Sequence, residues 1–472
     1  MASSPDGLSP AQPPAARASA EGDRTAPPAR AGAPSRAGAP SRSAALAGAR
    51  AQLKRAVRGA LAADSPVRRV LPDDVGERLR QVRRHLPVRA ARVLDRQLGG
   101  AGDRLSPEEF AAAFAQASRR PQPPADDVRV WIAPANFAGQ GYAWARALDA
   151  HAPGVGARNM AVTGRIAFEA DQLVAPQIYR DLAWQRAQER YVLGGYTHVL
   201  VESERPVFGP LYGRTCVEDV RRLRAAGLAV ALLSHGSDLR VPSDHARRHP
   251  HSPFADASDP TTVKLERQAR RNRDLLARFD GPVFVSTPDL LDDAPHATWC
   301  PTVVDVHTWS SAAPVLERPV PRVVHIPSSA GLKGSAHIDA ALAPLAAAGV
   351  IEYRRLQGVD RATLQAEYEA ADLVIDQVAI GLYGVAAIEA LTAGRVVLAY
   401  LGDTVRTRIH EATGRAVPII ETTADTVRAD VEAVLADRDS ARAVAASGPA
   451  YAAAVHDGRR SAAALMPWLR QA

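Results

Sequence analysis

Residues 325–342, HIPSSAGLKGSAHIDAAL, combine small residues with a lysine at a turn between two regular elements. The turn follows an apolar run typical of a strand and precedes a helical pattern. Free backbone N–H groups at a helix start, beside an ammonium group, form a site for phosphate groups. The segment therefore predicts a diphosphate site, with an ordinary turn and a solvated lysine as the alternative. The candidate ligands are Ser328, Ser329, Gly331, Lys333 and Gly334.

A second segment, DQVAIGLYGVAAIEALTAG at 376–394, places Gly384 before a helix that carries Glu389. A carboxylate near the ends of parallel strands can accept hydrogen bonds from two vicinal ribose hydroxyls, and its charge strengthens them. The flanking residues are apolar, so a charge at position 389 needs a partner. Glu389 is therefore a candidate ribose ligand, and a solvent-facing glutamate is the alternative.

Two segments nearer the N-terminus place polar residues at strand ends. His235 ends the apolar run LAVALLSH, and a histidine there faces the ligand cleft, where it can hold an acceptor or polarise reacting groups. A histidine satisfied by local turn hydrogen bonds, or a tight glycine turn without function, is the alternative. The candidate loop residues are Asp238 and Arg240 after His235, and Asn136, Gly139, Gln140 and Gly141 in the turn NFAGQGYA.

His245, His249 and His251 lie close together in HARRHPHSPF. No carboxylate or cysteine accompanies them at zinc spacing. We therefore expect a flexible loop on the acceptor side, no metal site and no cofactor. Asp292 and Asp293 stand in a turn and are predicted to lie at the surface.

Alternating apolar runs and helical patterns position these residues. The alternation begins at Asp127, restarts near residue 321 and implies two parallel sheets, each covered by helices on both faces. Ligands of such folds bind at the carboxyl ends of the strands, here in the cleft between two Rossmann-like domains. The predicted strands are 128–134, 158–164, 197–203, 228–235 and 281–287, then 322–328, 351–357, 372–378, 395–401 and 417–422.

The same patterns divide the whole chain. Low complexity predicts a disordered tail, and helical patterns such as 107–117 predict a helical extension after it. The predicted parts are a tail at 1–44, a helical extension at 45–120, an acceptor domain at 127–315, a nucleotide-sugar domain at 321–450, and a terminal helix within 451–472 that packs back on the first domain.

The charge of +7 on the 472 residues is unevenly placed. Residues 1–126 carry 21 basic and 12 acidic residues, and the rest carries 37 and 39. The basic extension could bind an anionic membrane surface, but we prefer the interpretation that it is a solvated arginine-rich segment. Specific nucleic-acid binding is not expected. No apolar run reaches the ~18 residues of a membrane span, and no signal peptide is recognised. Buried free thiols at Cys216 and Cys300 indicate the cytoplasm, with peripheral contact at the inner membrane face left open.

Lysine is rare in this chain, with only Lys54, Lys264 and Lys333 among 58 basic residues. Where arginine occupies nearly every basic position, a remaining lysine suggests a site that needs the compact ammonium group. This observation favours a binding role for Lys333.

These motifs resemble the nucleotide-sugar glycosyltransferases of the GT-B fold, especially the retaining group called glycosyltransferase family 4. The resemblance covers 127–472 in architecture and is sharpest at 322–401, in the Lys333–Gly334 pair and in YGVAAIEALTAG. It implies metal-independent sugar transfer from a nucleotide diphosphate to an unidentified glycan, lipid or small molecule, with retention. It also implies that Lys333 binds the diphosphate, Glu389 the ribose, and the backbone amides near Tyr383 and Gly384 the donor. The turn after Asn136 is similar to the glycine-rich loop of such enzymes, which approaches donor phosphate and acceptor.

Two departures from the family pattern keep other functions open. The family has two glutamates eight positions apart. Glu389 matches the later one, but this chain has Gly381 at the position of the earlier one, and Asp376 or Gln377 is a possible substitute. The arginine usual before the lysine is replaced by SSAG. The alternatives are a catalytically silent GT-B binding protein and a sugar-nucleotide epimerase.

Overall fold

The computed structural model describes Val88 and residues 105–164 and 168–470. The predicted tail and most of the predicted helical extension lie outside these residues. Helix α1 (Pro107–Ala117) has the bounds that the sequence predicts. It begins at a capping box, in which Ser106 and Glu109 each accept the backbone N–H of the other.

The strands of the described residues form two sheets in which every pairing is parallel. The first sheet contains β1 (Val128–Ala133), β2 (Val155–Val162), β3 (Gln172–Val174), β4 (His198–Glu202), β5 (Ala229–Ser234), β6 (Val283–Val285) and β7 (Thr298–Trp299). The second sheet contains β8 (Arg322–His325), β9 (Glu352–Arg355), β10 (Leu373–Gln377), β11 (Val396–Ala399) and β12 (Ile420–Glu421). We call each sheet with its helices the first and the second domain.

Helices connect the strands of both domains. In the first domain they are α2 (Gln140–His151), α3 (Pro176–Tyr179), α4 (Leu182–Gly195), α5 (Val217–Ala225), α6 (Pro242–Arg248) and α7 (Pro260–Ala277). Those after β8 are α8 (Ala330–Lys333), α9 (Ser335–Ala347), α10 (Arg361–Ala370), α11 (Val385–Thr392), α12 (Asp403–Thr413), α13 (Val427–Ala436), α14 (Arg438–Val455) and α15 (Arg459–Leu469). The prediction of two doubly wound α/β domains is confirmed.

The strand order of each sheet contains one reversal. The first sheet runs β3-β2-β1-β4-β5-β6-β7, and the second runs β12-β11-β10-β8-β9. Connections turn in opposite directions on either side of β1/β4 in the first sheet and of β8/β10 in the second. Such switch points open a crevice outside the carboxyl ends of the strands, where ligands of open α/β sheets bind.

Both faces of the sheets are buried, as continuous apolar strands require. In β1, Trp131 and Ala133 pack into one hydrophobic cluster, and Val130 and Ile132 pack into another. Residues two apart in a strand share a face, so the two clusters lie on opposite sides of the sheet. Polar side chains of the strands are therefore expected at the carboxyl ends of the strands, outside the two buried faces.

The last helix returns to the first domain. Leu465 and Trp468 of α15 pack in the same cluster as Trp144 of α2, and the Ser461 hydroxyl donates to the carbonyl of Pro301 at 2.8 Å. Both cysteines are buried and unpaired, as predicted. None of the described helices is long and apolar enough to cross a membrane.

Candidate functional site

The switch point of the second domain brings the two main candidate segments together. The turn that carries Lys333 follows β8, and Asp376 lies near the end of the neighbouring strand β10. The Lys333 ammonium lies 2.5 Å from Asp376 Oδ1. The second oxygen of Asp376 accepts the backbone N–H of Gly384 at 3.1 Å. One carboxylate therefore joins the lysine turn to the start of α11.

The Lys333 ammonium lies against a glycine at the start of α11. A Cβ at Gly384 would lie 3.5 Å from Lys333 Nζ, so the ammonium rests directly above this glycine. The Lys333 side chain is 16% exposed and that of Asp376 only 1%. The ammonium is thus the solvent-facing member of the pair, which leaves it able to meet an anion.

Local geometry explains why the lysine turn has this shape. Gly334 ends the single turn of α8 at a φ of +70°, in the left-handed region that favours glycine. A Cβ there would lie 2.7 Å from Val378, and Val378 N–H donates to the carbonyl of Lys333. His325 bridges the strand end to α9 by bonding Ser335 Oγ at 2.8 Å.

The serines and the first glycine of this turn make fewer contacts. Ser328 and Gly331 are exposed, and Ser329 is partly exposed. The hydroxyl of Ser329 does not cap α8, and open space lies where a side chain at Gly331 would point. The sequence-predicted phosphate ligands thus lie on one accessible turn beside Lys333.

Glu389 lies close to the same carboxylate. It is half-buried on α11, and burial raises its pKa to about 8, opposed by Arg361 and reinforced by the negative charge of Asp376. Its carboxyl forms no side-chain hydrogen bond with another residue of the described ranges. Glu389 is therefore near enough to Asp376 for the two negative charges to interact, while Lys333 contacts Asp376 directly.

We predict that Glu389→Gln changes the pH dependence of stability. The native carboxyl, with a pKa of about 8 against an ordinary 4.5, holds a proton that the unfolded chain releases. The free energy of unfolding of the wild type therefore falls as pH rises from about 4.5 to about 8, whereas a glutamine side chain does not titrate and loses no stability in this range. We expect the gain in melting temperature of the variant to grow between pH 5 and about 8, as measured by thermal unfolding without ligand. A pH-independent difference would contradict this prediction.

The other residues of the segment have structural contacts. The Tyr383 hydroxyl is buried and lies 2.7 Å from the Tyr451 hydroxyl and 2.9 Å from His456 Nε2, so only its backbone remains for a ligand. Gln377 is fully buried, and its amide bonds four backbone groups of the loop and of Tyr400. It is therefore not a substitute for the missing family glutamate.

The switch point of the first domain contains a residue that the sequence analysis missed. Glu202 is the last residue of β4 and fully buried. Its carboxylate accepts the backbone N–H groups of Ala135 and Asn136 at 3.0 Å and lies 3.0 Å from His235 Nε2. The available signal was a lone acid ending the apolar run THVLVE, because a buried charge requires several partners.

The glycine-containing turn wraps this carboxylate. A Cβ at Gly141 would lie 3.0 Å from both Glu202 oxygens, so a side chain there would displace the acid. Asn136 has a φ of +50°, accepts the N–H of Tyr142 and donates to the carbonyl of Glu169. Gly139 has a φ of +75°. The predicted loop residues therefore form a strained turn around Glu202.

Gln140 has a different role from the one that the sequence suggests. It is buried, accepts Val303 N–H at 2.7 Å and donates to Val303 carbonyl at 3.0 Å. This side chain therefore anchors the segment that leads from the first domain to the second.

His235 lies among aromatic rings at the end of β5. Its ring centroid lies 5.3 Å from that of Trp144 and 5.1 Å from that of Phe137. Asp238 accepts the backbone N–H of His235, so it shapes the turn. Arg240 forms a buried ion pair with Asp289, so its guanidinium is not open to a ligand.

The three clustered histidines connect the two domains. His245 Nε2 lies 3.1 Å from the carbonyl of Ile380, His249 Nδ1 lies 2.9 Å from the Tyr400 hydroxyl, and His251 Nε2 lies 3.1 Å from Asp425. In the part of the chain that the structure describes, no group of histidine, cysteine and acidic side chains is arranged to hold a metal ion.

The prediction that Asp292 and Asp293 lie at the surface is wrong. Asp293 is 5% exposed, and burial raises its pKa to about 6. Asp292 pairs with Arg408 of the second domain at 2.6 Å. The acidic pair is drawn inward because it meets arginines from both domains, a contact that a local turn pattern does not reveal.

Similarity to known proteins is found among solved structures. No protein-family profile matches the chain, and no curated protein matches it in sequence. The chain is similar to sucrose-phosphate synthase from Thermosynechococcus elongatus, with a TM-score of 0.48 and 14% identity over 72% of this chain and 98% of the other.

Two further solved structures are similar. Anabaena HepE in complex with UDP and glucose has a TM-score of 0.47 and 13% identity over 73% of this chain and 99% of HepE. WaaG, a glycosyltransferase involved in lipopolysaccharide biosynthesis, has a TM-score of 0.44 and 13% identity over 73% of this chain and 100% of WaaG.

Proposed function

We propose that this protein is a cytoplasmic GT-B glycosyltransferase that transfers a sugar from a nucleotide diphosphate to a hydroxyl acceptor, with retention and without a metal ion. The observation that carries the proposal is the contact of the Lys333 ammonium and the Gly384 N–H with Asp376 at the second switch point, with Glu389 near enough for its charge to interact with that of Asp376. A cation and a carboxylate in one crevice are the groups that a diphosphate joined to a ribose requires.

Lys333 supplies the main electrostatic contribution in this proposal. As the bond between sugar and diphosphate breaks, negative charge develops on the departing phosphate oxygens. An ammonium that is already positioned by Asp376 stabilises this charge without reorganisation, which is the usual source of large catalytic effects. Asp376 also keeps the site close to neutral before the donor arrives.

The first domain supplies the acceptor side. The Glu202 carboxylate requires a donor at its contact with His235, so Nε2 of the ring carries the hydrogen and Nδ1 is left as the acceptor. A ring oriented in this way can accept a hydrogen bond from the hydroxyl to be glycosylated. Glu202 therefore acts as a positioning residue for His235.

The proposal predicts saturable binding of a nucleoside diphosphate that depends on the ribose hydroxyls. UDP and GDP are the probes, measured by isothermal titration calorimetry together with 2′-deoxy-UDP and 2′-deoxy-GDP. Above about pH 8, where the Glu389 carboxyl is ionised, wild type is expected to prefer the ribose form if Glu389 accepts from the ribose, and Glu389→Gln lowers this preference by about tenfold, the value of one charged hydrogen bond. UDP-glucose and GDP-mannose then test for slow hydrolysis.

The same titration separates the proposal from its alternatives. A silent binding protein is expected to bind nucleotide or nothing, without turnover of any sugar nucleotide. Release of an isomerised sugar nucleotide in place of free sugar would indicate an epimerase. Failure of wild type to bind any of the nucleotides would overturn the proposal.

A further inference from the structure

The loop between β10 and α11 has a gap at Gly381. This glycine has a φ of +74°, in the left-handed region, and contributes no side chain. The imidazole of His249, from the first domain, occupies the space: a Cβ at Gly381 would lie 2.7 Å from His249 Cε1, 3.0 Å from Nδ1 and 3.4 Å from Nε2. A ring from one domain thus takes the place of a side chain in the other.

The position of this ring is determined by contacts on two sides. His249 Nδ1 lies 2.9 Å from the Tyr400 hydroxyl, and the ring stacks on that of His245 with 4.2 Å between centroids. His245 is itself held by Ser252 Oγ at 2.7 Å and by the carbonyl of Ile380 at 3.1 Å. The imidazole is therefore oriented by both domains together.

The surroundings keep His249 neutral. Burial lowers its pKa, Arg248 and Arg240 lower it further, and Asp289 and Asp292 oppose this effect. Burial raises the pKa of Tyr400, so the phenol keeps its proton and can donate to Nδ1. The hydrogen of the ring is then on Nε2.

Nε2 is available to a ligand. Within the described ranges no hydrogen bond reaches it, and it is not among the unpaired polar atoms sealed from solvent. It is therefore a neutral donor without a partner, beside the loop that bounds Lys333 and Asp376.

The order of groups along this loop indicates what Nε2 would meet. Gly384 lies under the Lys333 ammonium, where the diphosphate is proposed to bind. Glu389 follows Gly384 along the chain, and Gly381 precedes it. In a sugar nucleotide the ribose and the sugar are attached at opposite ends of the diphosphate. The His249 ring lies at Gly381, three residues before Gly384, so a sugar attached to a diphosphate above Gly384 can reach the ring.

We propose that His249 crosses the domain boundary to donate a hydrogen bond from Nε2 to a hydroxyl of the donor sugar, and so helps to determine which sugar is accepted. This inference rests on the proposed function and adds the residue that recognises the transferred group. It also makes recognition of the sugar depend on contact between the domains, because the three atoms nearest to the space at Gly381 all belong to His249 of the first domain.

The test compares a nucleotide with its sugar derivative. UDP and UDP-glucose, or GDP and GDP-mannose if the guanine nucleotides bind, are titrated into wild type, His249→Ala and His249→Gln. The matched control is His251→Ala, which removes another histidine that reaches the second domain, through Asp425. Thermal unfolding checks that each variant is folded.

We expect His249→Ala to lower the affinity for the sugar nucleotide by about five- to tenfold, as loss of one neutral hydrogen bond predicts. Affinity for the free diphosphate should change less than about twofold, and His249→Gln, which keeps a donor, should recover part of the loss. His251→Ala should change neither affinity.

Three results would overturn the inference. An equal loss for UDP and UDP-glucose would show that His249 acts only in the domain contact. Unchanged ratios would show that it does not meet the sugar, and so would a wild type that binds both ligands equally. Absence of any nucleotide binding would instead contradict the proposed function, and this inference with it.

Discussion

Lys333→Ala is expected to lower the affinity for UDP or GDP by about 10- to 100-fold, which corresponds to the about 1.5–3 kcal/mol of a hydrogen bond to a charged group. The ammonium is the exposed member of a pair whose carboxylate is 1% exposed, and it rests above Gly384 with 3.5 Å to the missing Cβ. Isothermal titration calorimetry at constant ionic strength measures the effect, since salt screens such contacts.

The chain offers a matched control for this variant. Lys264 lies exposed on α7 in the first domain, and Lys264→Ala should leave nucleotide affinity unchanged. Lys333→Arg should recover only part of the binding, because the guanidinium is larger than the space above Gly384 and is not a compact point charge. Wild-type affinity in Lys333→Ala would remove the diphosphate site from the lysine turn.

Loss of activity in Lys333→Ala has to be distinguished from loss of structure. Removal of the ammonium leaves Asp376 with the Gly384 N–H as its remaining bond, so we also expect some destabilisation of the second domain. A thermal unfolding curve without ligand measures that contribution. A reduced affinity at a temperature where the variant is fully folded then reports on the site itself.

Glu202→Gln is expected to destabilise the first domain by about 3 kcal/mol, since a buried charged acceptor with several donors is replaced by an amide. One end of the new amide carries hydrogens and would face either the backbone N–H groups of Ala135 and Asn136 or the ring of His235. For a domain of this size, we expect a drop in melting temperature of about 6–12 °C.

Glu218→Gln is the control for this variant. Glu218 lies on α5 and pairs with Arg221 at the surface, and a surface pair of this kind contributes about 0.5 kcal/mol or less. Calorimetric unfolding of both variants at neutral pH separates a buried from a solvated carboxylate. If Glu202→Gln were as stable as wild type, the hydrogen-bond network around Glu202 would not support the loop at Asn136.

Glu202→Gln also has an expected effect on transfer. Where the new amide turns its NH2 group towards His235 to keep its oxygen on the backbone N–H groups, Nε2 loses its acceptor, and Nδ1 is then no longer held as the acceptor. We expect a lower kcat with little change in the donor KM, because the diphosphate and ribose are proposed to bind to the second domain and His249 is not bonded to Glu202. A change in donor KM alone would argue against a positioning role.

Local residue patterns were sufficient for the elements and for the two main candidates. The apolar run before Lys333 and the helix that carries Glu389 correspond to β8 and α11, because helix and strand patterns depend on residues two to four positions apart. Parallel strands end at the same edge of a sheet, so residues at their ends approach one another. That is why segments more than 40 residues apart could be assigned to one crevice.

Short and irregular elements were harder to predict. Strand β3 has three residues and β7 two, and neither lies in a longer apolar run of the kind that marked β6 and β12. Gln140 and Arg240 are polar residues at strand ends, as binding residues are, but they bond Val303 and Asp289. Residue type and place therefore do not distinguish a ligand-binding group from one that holds a loop.

The sequence alone determined the two α/β domains, the lysine turn and the glutamate helix, because each is encoded by neighbours along the chain. Only the tertiary structure decided that Asp376 pairs with Lys333, that Glu202 orients His235, and that His249 lies at Gly381. These contacts join segments 33 to 132 positions apart. They depend on the order of the strands and on the packing of the domains. Many weak contacts together determine that order and packing, and a local residue pattern does not contain this information.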